Sequence, residues 1–249
     1  MKDFYIGYLP KAPEPTARLF RVVVAALLLA ALGSAIAIAA FQNPFAASVF
    51  EFGQPRVFEG TVELDPYPTL VVVRPGRAEA RVSRYLLVGE GKHGARPVVG
   101  AHRGQTVRLR GMLIYRDGDT VIEVLGGSVT PIDASPLGEA TPVGLGQFEL
   151  TGEIVDSKCY LGVMNPGSGK VHHDCAVRCL SGGIPPGFAV PDFDGTPAVF
   201  LLTDPAGKAL PNEALRNLAA RPVRVRGKAS RVGATLFLAV EPSSIAPAS

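Results

Sequence analysis

The chain has 249 residues, a formal net charge of +3 at pH 7 and 47% hydrophobic residues. This small and dispersed charge gives no electrostatic basis for binding nucleic acid, so we expect no nucleic-acid partner. The chain contains 28 Gly, 22 Pro and no Trp. Such a composition favours short strands and many turns over a helical bundle.

The first recognisable element is an apolar segment. Residues 22–41 carry no charge, and about 20 apolar residues are enough for a helix to cross a bilayer. Basic residues precede the segment, and the next one after it is Arg56. The positive-inside rule therefore predicts a cytoplasmic tail at residues 1–21, a transmembrane helix at 22–41 and a periplasmic remainder, anchored in the cytoplasmic (inner) membrane. A cleaved signal peptide, with small residues at 35–39, is the alternative.

The region after this segment contains an internal repeat. Thr106–Gly111 (TVRLRG) matches Pro222–Gly227 (PVRVRG), and shorter matches occur upstream in the same order. Each copy has five segments with strand patterns. They are residues 57–63, 69–73, 84–88, 106–115 and 120–125, and then 148–155, 187–190, 198–203, 222–230 and 234–240.

In the second copy a short helix, capped by Asn212, fits between the third and fourth strands. This element order is that of the OB-fold. The sequence thus predicts a mainly β protein, with an N-terminal transmembrane helix followed by two tandem OB-like five-stranded barrels. The barrels would span residues 52–133 and 147–242, with a linker at 134–146 and a loose tail after Glu241. Two β-sandwich or SH3-like units are the alternative.

The two copies differ most between their first and second strands, where the second copy carries an insertion at residues 156–186. All three cysteines lie there. His172, Cys175 and Cys179 have the spacing of one helical stripe, if residues 173–180 form a helix. Cys159 ends the preceding strand and would face that stripe.

Three thiols and an imidazole form a typical tetrahedral transition-metal set. The candidate metal ligands are Cys159, His172, His173, Cys175 and Cys179, and the candidate metals are zinc, copper or an iron–sulfur centre. A disulfide joining Cys159 to Cys175 or Cys179 is an equally weighted alternative, which would leave one free thiol.

Other polar residues carry weaker signals. Asp156, Lys158 and Asp174 surround the cluster and could orient a ligand, but we expect them to be solvated charges. Met164 is a further soft side chain, although a lone Met usually packs. The sequence has no Ser-His-Asp order and no convincing carboxylate pair, so no catalytic residue is assigned.

The insertion resembles a motif of bacterial exported or membrane-anchored proteins, D-S-x-C-[YF] followed by H-x-x-C-A-x-x-C and G-G-[IV]-P. The resemblance covers only the second copy, and it implies that the cluster matters without naming a reaction. The whole architecture is also similar to that of the periplasmic haem chaperone of cytochrome c maturation. That family attaches haem through a His followed three residues later by Tyr, whereas Cys175 and Ala176 stand at that offset here, so we expect no haem.

These observations predict a membrane-anchored accessory subunit of a redox or respiratory assembly, with a metal or redox site in the second barrel. Its partners would be the membrane and a larger membrane protein complex. One alternative is a thiol–disulfide or peroxide-handling enzyme with a nucleophilic cysteine. Another is a structural docking subunit stapled by a disulfide.

Overall fold

The computed structural model describes residues 12–41, 47–74, 82–134 and 141–248. The chain divides into two compact units, residues 1–45 and residues 46–249. The first unit contains helix α1, Glu14–Phe41, and the second contains all of the strands.

Helix α1 includes the whole predicted span 22–41 and begins earlier, at Glu14. Pro15 lies in its first turn, where the missing backbone N–H needs no partner. Its most apolar window has a mean hydropathy of 2.7, and no other helix in the described residues is long and apolar enough to cross a membrane. A membrane anchor and a signal sequence both fit this helix. Residues 1–11 of the predicted cytoplasmic tail lie outside the described residues.

In its described residues the second unit is built from strands and three short α-helices. The strands are β1 Ser48–Phe50, β2 Arg56–Glu63, β3 Thr69–Val73, β4 Val82–Val88, β5 Thr106–Arg116, β6 Asp119–Val124, β7 Thr130–Pro131, β8 Val143–Asp156, β9 Pro186–Phe193, β10 Thr196–Thr203, β11 Pro222–Val232, β12 Thr235–Val240 and β13 Ala246–Pro247. The helices are α2 Arg96–Val99, α3 His173–Ser181 and α4 Asn212–Arg216.

The strands close into two five-stranded barrels. In the first barrel the order is β5-β2-β3-β4-β6, and β6 returns to β5. In the second barrel the order is β11-β8-β9-β10-β12, and β12 returns to β11. Among the described strand pairs, the parallel one is β4–β6 in the first barrel and β10–β12 in the second, and in each barrel a short helix precedes the fourth strand. The predicted mainly β fold with two OB-like barrels is confirmed.

The repeat extends beyond the predicted strands. In the first copy Val107 pairs with Pro131 of β7, and in the second Val223 pairs with Pro247 of β13. The hydroxyl of Ser128 donates to the Leu125 and Arg110 carbonyls, and that of Ser244 donates to the equivalent Glu241 and Arg226 carbonyls. The prediction of a loose tail after Glu241 is therefore wrong, because the tail forms a sixth strand that covers the edge of β11.

Two further expectations need correction. Strand β8 begins at Val143, inside the predicted linker, and residues 135–140 of that linker lie outside the described residues. Asn212 is the first residue of α4, not its cap. Its amide instead donates to the carbonyls of Leu180 and Ile184, at 2.7 and 3.0 Å, and so attaches α4 to the end of α3.

Each barrel has its own apolar core, and a third buried cluster joins the barrels. This third cluster contains Leu86, Val88 and Ile114 of the first barrel, together with Cys159, Cys179 and other residues of the second. Tyr67 adds a polar link, since its hydroxyl donates to the Leu202 carbonyl at 2.6 Å. Two of the three cysteines thus lie in the interface between the barrels.

Candidate metal centre

A buried carboxylate starts the insertion. Asp156 ends β8 and is fully buried, and its Oδ1 accepts a hydrogen bond of 2.8 Å from the backbone N–H of Cys159. This is the geometry of an N-terminal helix cap, and a π-helical turn follows at Cys159–Val163. The chain then passes close to itself, because a Cβ on Gly167 would lie 2.5 Å from the Cys159 carbonyl oxygen. The position of Cys159 is thus set by a cap and by close backbone packing.

Helix α3 supplies the other two thiols. It spans His173–Ser181, which confirms the predicted helix. Ala176 and Leu180 are fully buried in the core of the second barrel, and this orients the helix. Cys175 and Cys179 lie one turn apart on a neighbouring stripe and face Cys159.

The three sulfurs converge. Cys159 Sγ lies 3.9 Å from Cys175 Sγ and 3.8 Å from Cys179 Sγ. A disulfide requires about 2.05 Å, and all three cysteines are free in this structure. Cys159 and Cys179 are buried, whereas Cys175 is partly exposed. The disulfide alternative is therefore not formed here, although the thiols are near enough to react.

One imidazole joins the sulfurs. A ring nitrogen of His172 lies within 4.8 Å of the sulfurs of Cys159 and Cys175. His172 Nε2 lies 2.9 Å from Asp156 Oδ2, and both side chains are buried. Because the carboxylate accepts from Nε2–H, the lone pair of a neutral ring is on Nδ1. That Nδ1 is buried and has no hydrogen-bond partner.

The remaining predicted site residues lie elsewhere. His173 Nδ1 lies 3.0 Å from Asp174 Oδ1. Potential ligand atoms within 4.8 Å of one another form two groups, Cys159 with His172 and Cys175, and Cys159 with Asp156 and Cys179, and His173 belongs to neither. The Asp174 side chain is 97% exposed, as expected of a solvated charge. Met164 is exposed as well. The structure thus places Cys159 at the centre, with His172 and Cys175 in one group and Cys179 and Asp156 in the other.

The first barrel also contributes to the cluster. Lys92, in the loop after β4, places Nζ 2.8 Å from Cys175 Sγ and 3.6 Å from Cys179 Sγ. The hydrogen bond to Cys175 raises the pKa of Lys92. A hydrogen bond between Cys179 and Cys159 lowers the pKa of Cys179, and the charge of Lys92 lowers it further. The same bond and burial raise the pKa of Cys159. Electrostatics thus favour a thiolate at Cys179.

Lys158 is not the solvated charge that the sequence predicts. Its side chain is only 3% exposed, and Nζ forms an ion pair with Glu123 of the first barrel. The same ammonium donates to the carbonyls of Gly89 and Gly91, at 2.9 and 2.6 Å. Asp156 is likewise buried, so the expectation of solvation is wrong for both residues. Lys158 fastens the start of the insertion to the loop that carries Lys92.

Glycines allow this loop to meet the end of α3. The N–H of Gly94 donates to the Gly182 carbonyl at 2.9 Å. A Cβ on Gly182 would lie 1.8 Å from the Lys92 carbonyl oxygen, and one on Gly94 would lie 2.1 Å from that of Gly183. Only hydrogen fits at such distances. The backbone contact holds Lys92 beside the thiols.

Sequence reasoning missed Lys92 and Glu123, because both reach the cluster through tertiary packing. Nothing in the Gly-rich stretch around Lys92 signals a contact with residues more than 80 positions away. The role of Asp156 had a local signal, since Asp three residues before Cys159 fits an N-cap.

Comparison with models of known protein families gives no match to the chain, and comparison with curated proteins gives none either. The chemistry of the site therefore has to be inferred from its own geometry.

Proposed function

We propose that the insertion of the second barrel binds a single metal ion through Cys159, Cys175, Cys179 and His172. The observation that carries the proposal is the position of Cys159 Sγ, which lies within 4 Å of the other two sulfurs and within 4.8 Å of a ring nitrogen of His172, whose buried Nδ1 has no hydrogen-bond partner. In a tetrahedral zinc site with bonds of about 2.3 Å to sulfur, neighbouring sulfurs lie about 3.8 Å apart. The distances of 3.8 and 3.9 Å from Cys159 match that edge.

The ligand set favours Zn²⁺. Three thiolates and one imidazole complete a tetrahedron and leave no open position, as in structural zinc sites. Thiolates bound to different irons of an iron–sulfur cluster would be held farther apart than these three sulfurs. Asp156 supports the same reading, because a carboxylate on the far nitrogen of a ligating His fixes its tautomer and orientation.

At the level of the whole protein, we propose a membrane-anchored accessory subunit of a redox or respiratory assembly. Helix α1 would be the anchor, with the N-terminus inside and the barrels in the periplasm. The ion would fix the insertion against both barrels and present their joint surface to a larger membrane complex. The apolar helix, the small binding-type barrels and the closed ligand set support this role over catalysis.

A thiol enzyme is the second candidate, and one observation favours it. Cys175 is partly exposed, and its sulfur lies 2.8 Å from the Lys92 ammonium. A neighbouring cation activates cysteine nucleophiles. A reactive Cys175 would be alkylated rapidly near neutral pH in the presence or absence of zinc, whereas a metal ligand would be protected once zinc is bound.

The test uses the full chain, purified in detergent under reducing conditions and analysed for metals. The proposal expects one Zn²⁺ per chain, or one Co²⁺ after exchange, with the visible spectrum of a tetrahedral thiolate site. Protein without stoichiometric metal that also fails to take up Zn²⁺ or Co²⁺, and that instead contains one disulfide, would contradict it.

The role in an assembly needs a separate test in the source cells. Deletion of the gene should lower the respiratory rate of isolated membranes, and expression of the unaltered chain should restore it. A chain in which all three cysteines are Ser, produced at a matched level, should not restore it. Full restoration by this variant would leave the metal centre without a role in that activity.

A further inference from the structure

We infer that Lys92 of the first barrel belongs to the metal centre as an outer cation, which donates to the thiolates and offsets their charge. The inference rests on the proposed function, because it names a specificity-determining residue of that same site. It also makes the centre a composite of both barrels, although every ligand comes from the second.

The geometry separates Lys92 from an ordinary surface lysine. Its Nζ reaches two of the three sulfurs, at 2.8 Å from Cys175 and 3.6 Å from Cys179. Sulfur is a larger acceptor than oxygen, so a distance of 2.8 Å, usual for N–H···O, is short for a thiol. The ammonium thus lies over the side of the cluster where Cys175 is partly exposed.

The backbone holds Lys92 in this position. On one side, the Lys158 ammonium binds the carbonyl of Gly91, which directly precedes Lys92. On the other side, the Gly94 N–H binds the Gly182 carbonyl just beyond α3. The loop is therefore hydrogen-bonded on both sides of Lys92 to the insertion that carries the cysteines. These two backbone contacts fix the position of the Lys92 Cα.

The charges explain why a cation is needed. Three thiolates and a neutral imidazole around a divalent ion leave one net negative charge, and a monovalent ion such as Cu(I) would leave two. Asp156 adds another negative charge beside His172. Lys158 is already paired with Glu123, so Lys92 is the cation that the described residues place against the sulfurs. One such cation fits a divalent ion better than a monovalent one.

The experiment compares Lys92→Met, Lys92→Gln and Lys92→Arg with the unaltered full chain in detergent. Lys208→Met is the matched control, because Lys208 is an exposed lysine in the equivalent loop of the second barrel. Zn²⁺ affinity is measured by competition with a chromophoric chelator. We expect Lys92→Met and Lys92→Gln to weaken Zn²⁺ binding about 10-fold, as other outer-shell substitutions do. Lys92→Arg should lose less, and Lys208→Met should lose nothing.

A spectroscopic readout separates this role from a structural one. With Co²⁺ bound, removal of the N–H donor should move the sulfur-to-cobalt charge-transfer band to lower energy in Lys92→Met but not in Lys208→Met. Unchanged Zn²⁺ affinity together with an unmoved band in both Lys92→Met and Lys92→Gln would overturn the inference while the metal site stands. If the unaltered chain binds neither Zn²⁺ nor Co²⁺, the proposed function fails and this inference fails with it.

Discussion

The two barrels share a strand order and differ in one connection. The first barrel passes from β2 to β3 through residues 64–68, whereas the second passes from β8 to β9 through residues 157–185. Features outside this connection recur in both copies, including the terminal strands β7 and β13. The difference shows that one barrel strand order can accommodate either a short turn or a folded segment that carries the Cys/His cluster.

The comparison also shows that the first barrel, which lacks the insertion, contributes residues to the cluster. Its loop after β4 supplies Lys92, and its strand β6 supplies Glu123, the partner of Lys158. The insertion of the second barrel therefore packs against the first barrel through these two residues. The predictions below alter one side of this arrangement at a time.

The largest expected effect comes from the ligands. Cys179→Ser replaces a buried thiolate with a hydroxyl, a poor ligand for Zn²⁺ at neutral pH, so stoichiometric metal should be lost. Elemental analysis and Co²⁺ spectra of the full chain measure this. Met164→Leu is the control, because it removes the exposed sulfur of the same insertion. Retention of one tightly bound Zn²⁺ by Cys179→Ser would contradict the ligand assignment.

The next effect concerns the ion pair between the barrels. Lys158→Met leaves the buried Glu123 carboxylate without its partner, and breaking a buried pair costs about 3–5 kcal/mol. For a unit of this size each kcal/mol lowers Tm by about 2–4 °C, so we expect a fall of about 6–20 °C. Thermal unfolding checks this. Arg226→Met, which breaks an exposed pair with Glu149, should change Tm little. Equal shifts for the two variants would refute the special role of Lys158.

The two neighbouring histidines allow a matched test. His172→Gln removes the buried nitrogen beside the thiols and should weaken Zn²⁺ binding at least 10-fold, whereas His173→Gln should have no effect. Competition with a chelator measures both. A larger loss from His173→Gln would reverse the assignment made from the structure.

The smallest effect lies in the first barrel. Burial, and then the charge of Asp117, raise the pKa of Asp119 to about 6. Because the folded protein holds this proton more tightly than the unfolded chain, stability should fall as pH rises from about 4 to about 6, and stay lower above. Thr235 occupies the equivalent hairpin position in the second barrel, so threonine is a suitable replacement. Asp119→Thr should therefore stabilise the protein at pH 7 by about 1–2 kcal/mol. Denaturant titrations at pH 4 and pH 7 check this, and an equal gain at both pH values would contradict it.

The sequence allowed most of the frame to be predicted, because strand alternation and turn residues are local signals. The helix at residues 173–180 was predicted from the spacing of its cysteines and from Gly182, which follow the helical period. The tail after Glu241 was misjudged, since a two-residue strand such as β13 has no periodicity to detect. The pairing of β13 with β11 is recognised from the structure, where β7 pairs with β5 in the same way.

The site was predictable only in part. The stripe on α3 and the position of Cys159 indicated a convergence of thiols, and the structure brings them together. Helix phase favoured His172 over His173, because His172 has the spacing of the stripe that carries Cys175 and Cys179, and the structure groups His172 with Cys159 and Cys175. The burial of Lys158 was missed since lysines are almost never buried, and its partner lies on another barrel.

The interface position of Cys159 and Cys179 has a consequence for the accessibility of their sulfur atoms. These thiols are covered in part by Leu86, Val88 and Ile114 of the first barrel. A second barrel separated from the first would lose this cover and expose those sulfur atoms to solvent. The first barrel therefore protects atoms that belong to the second.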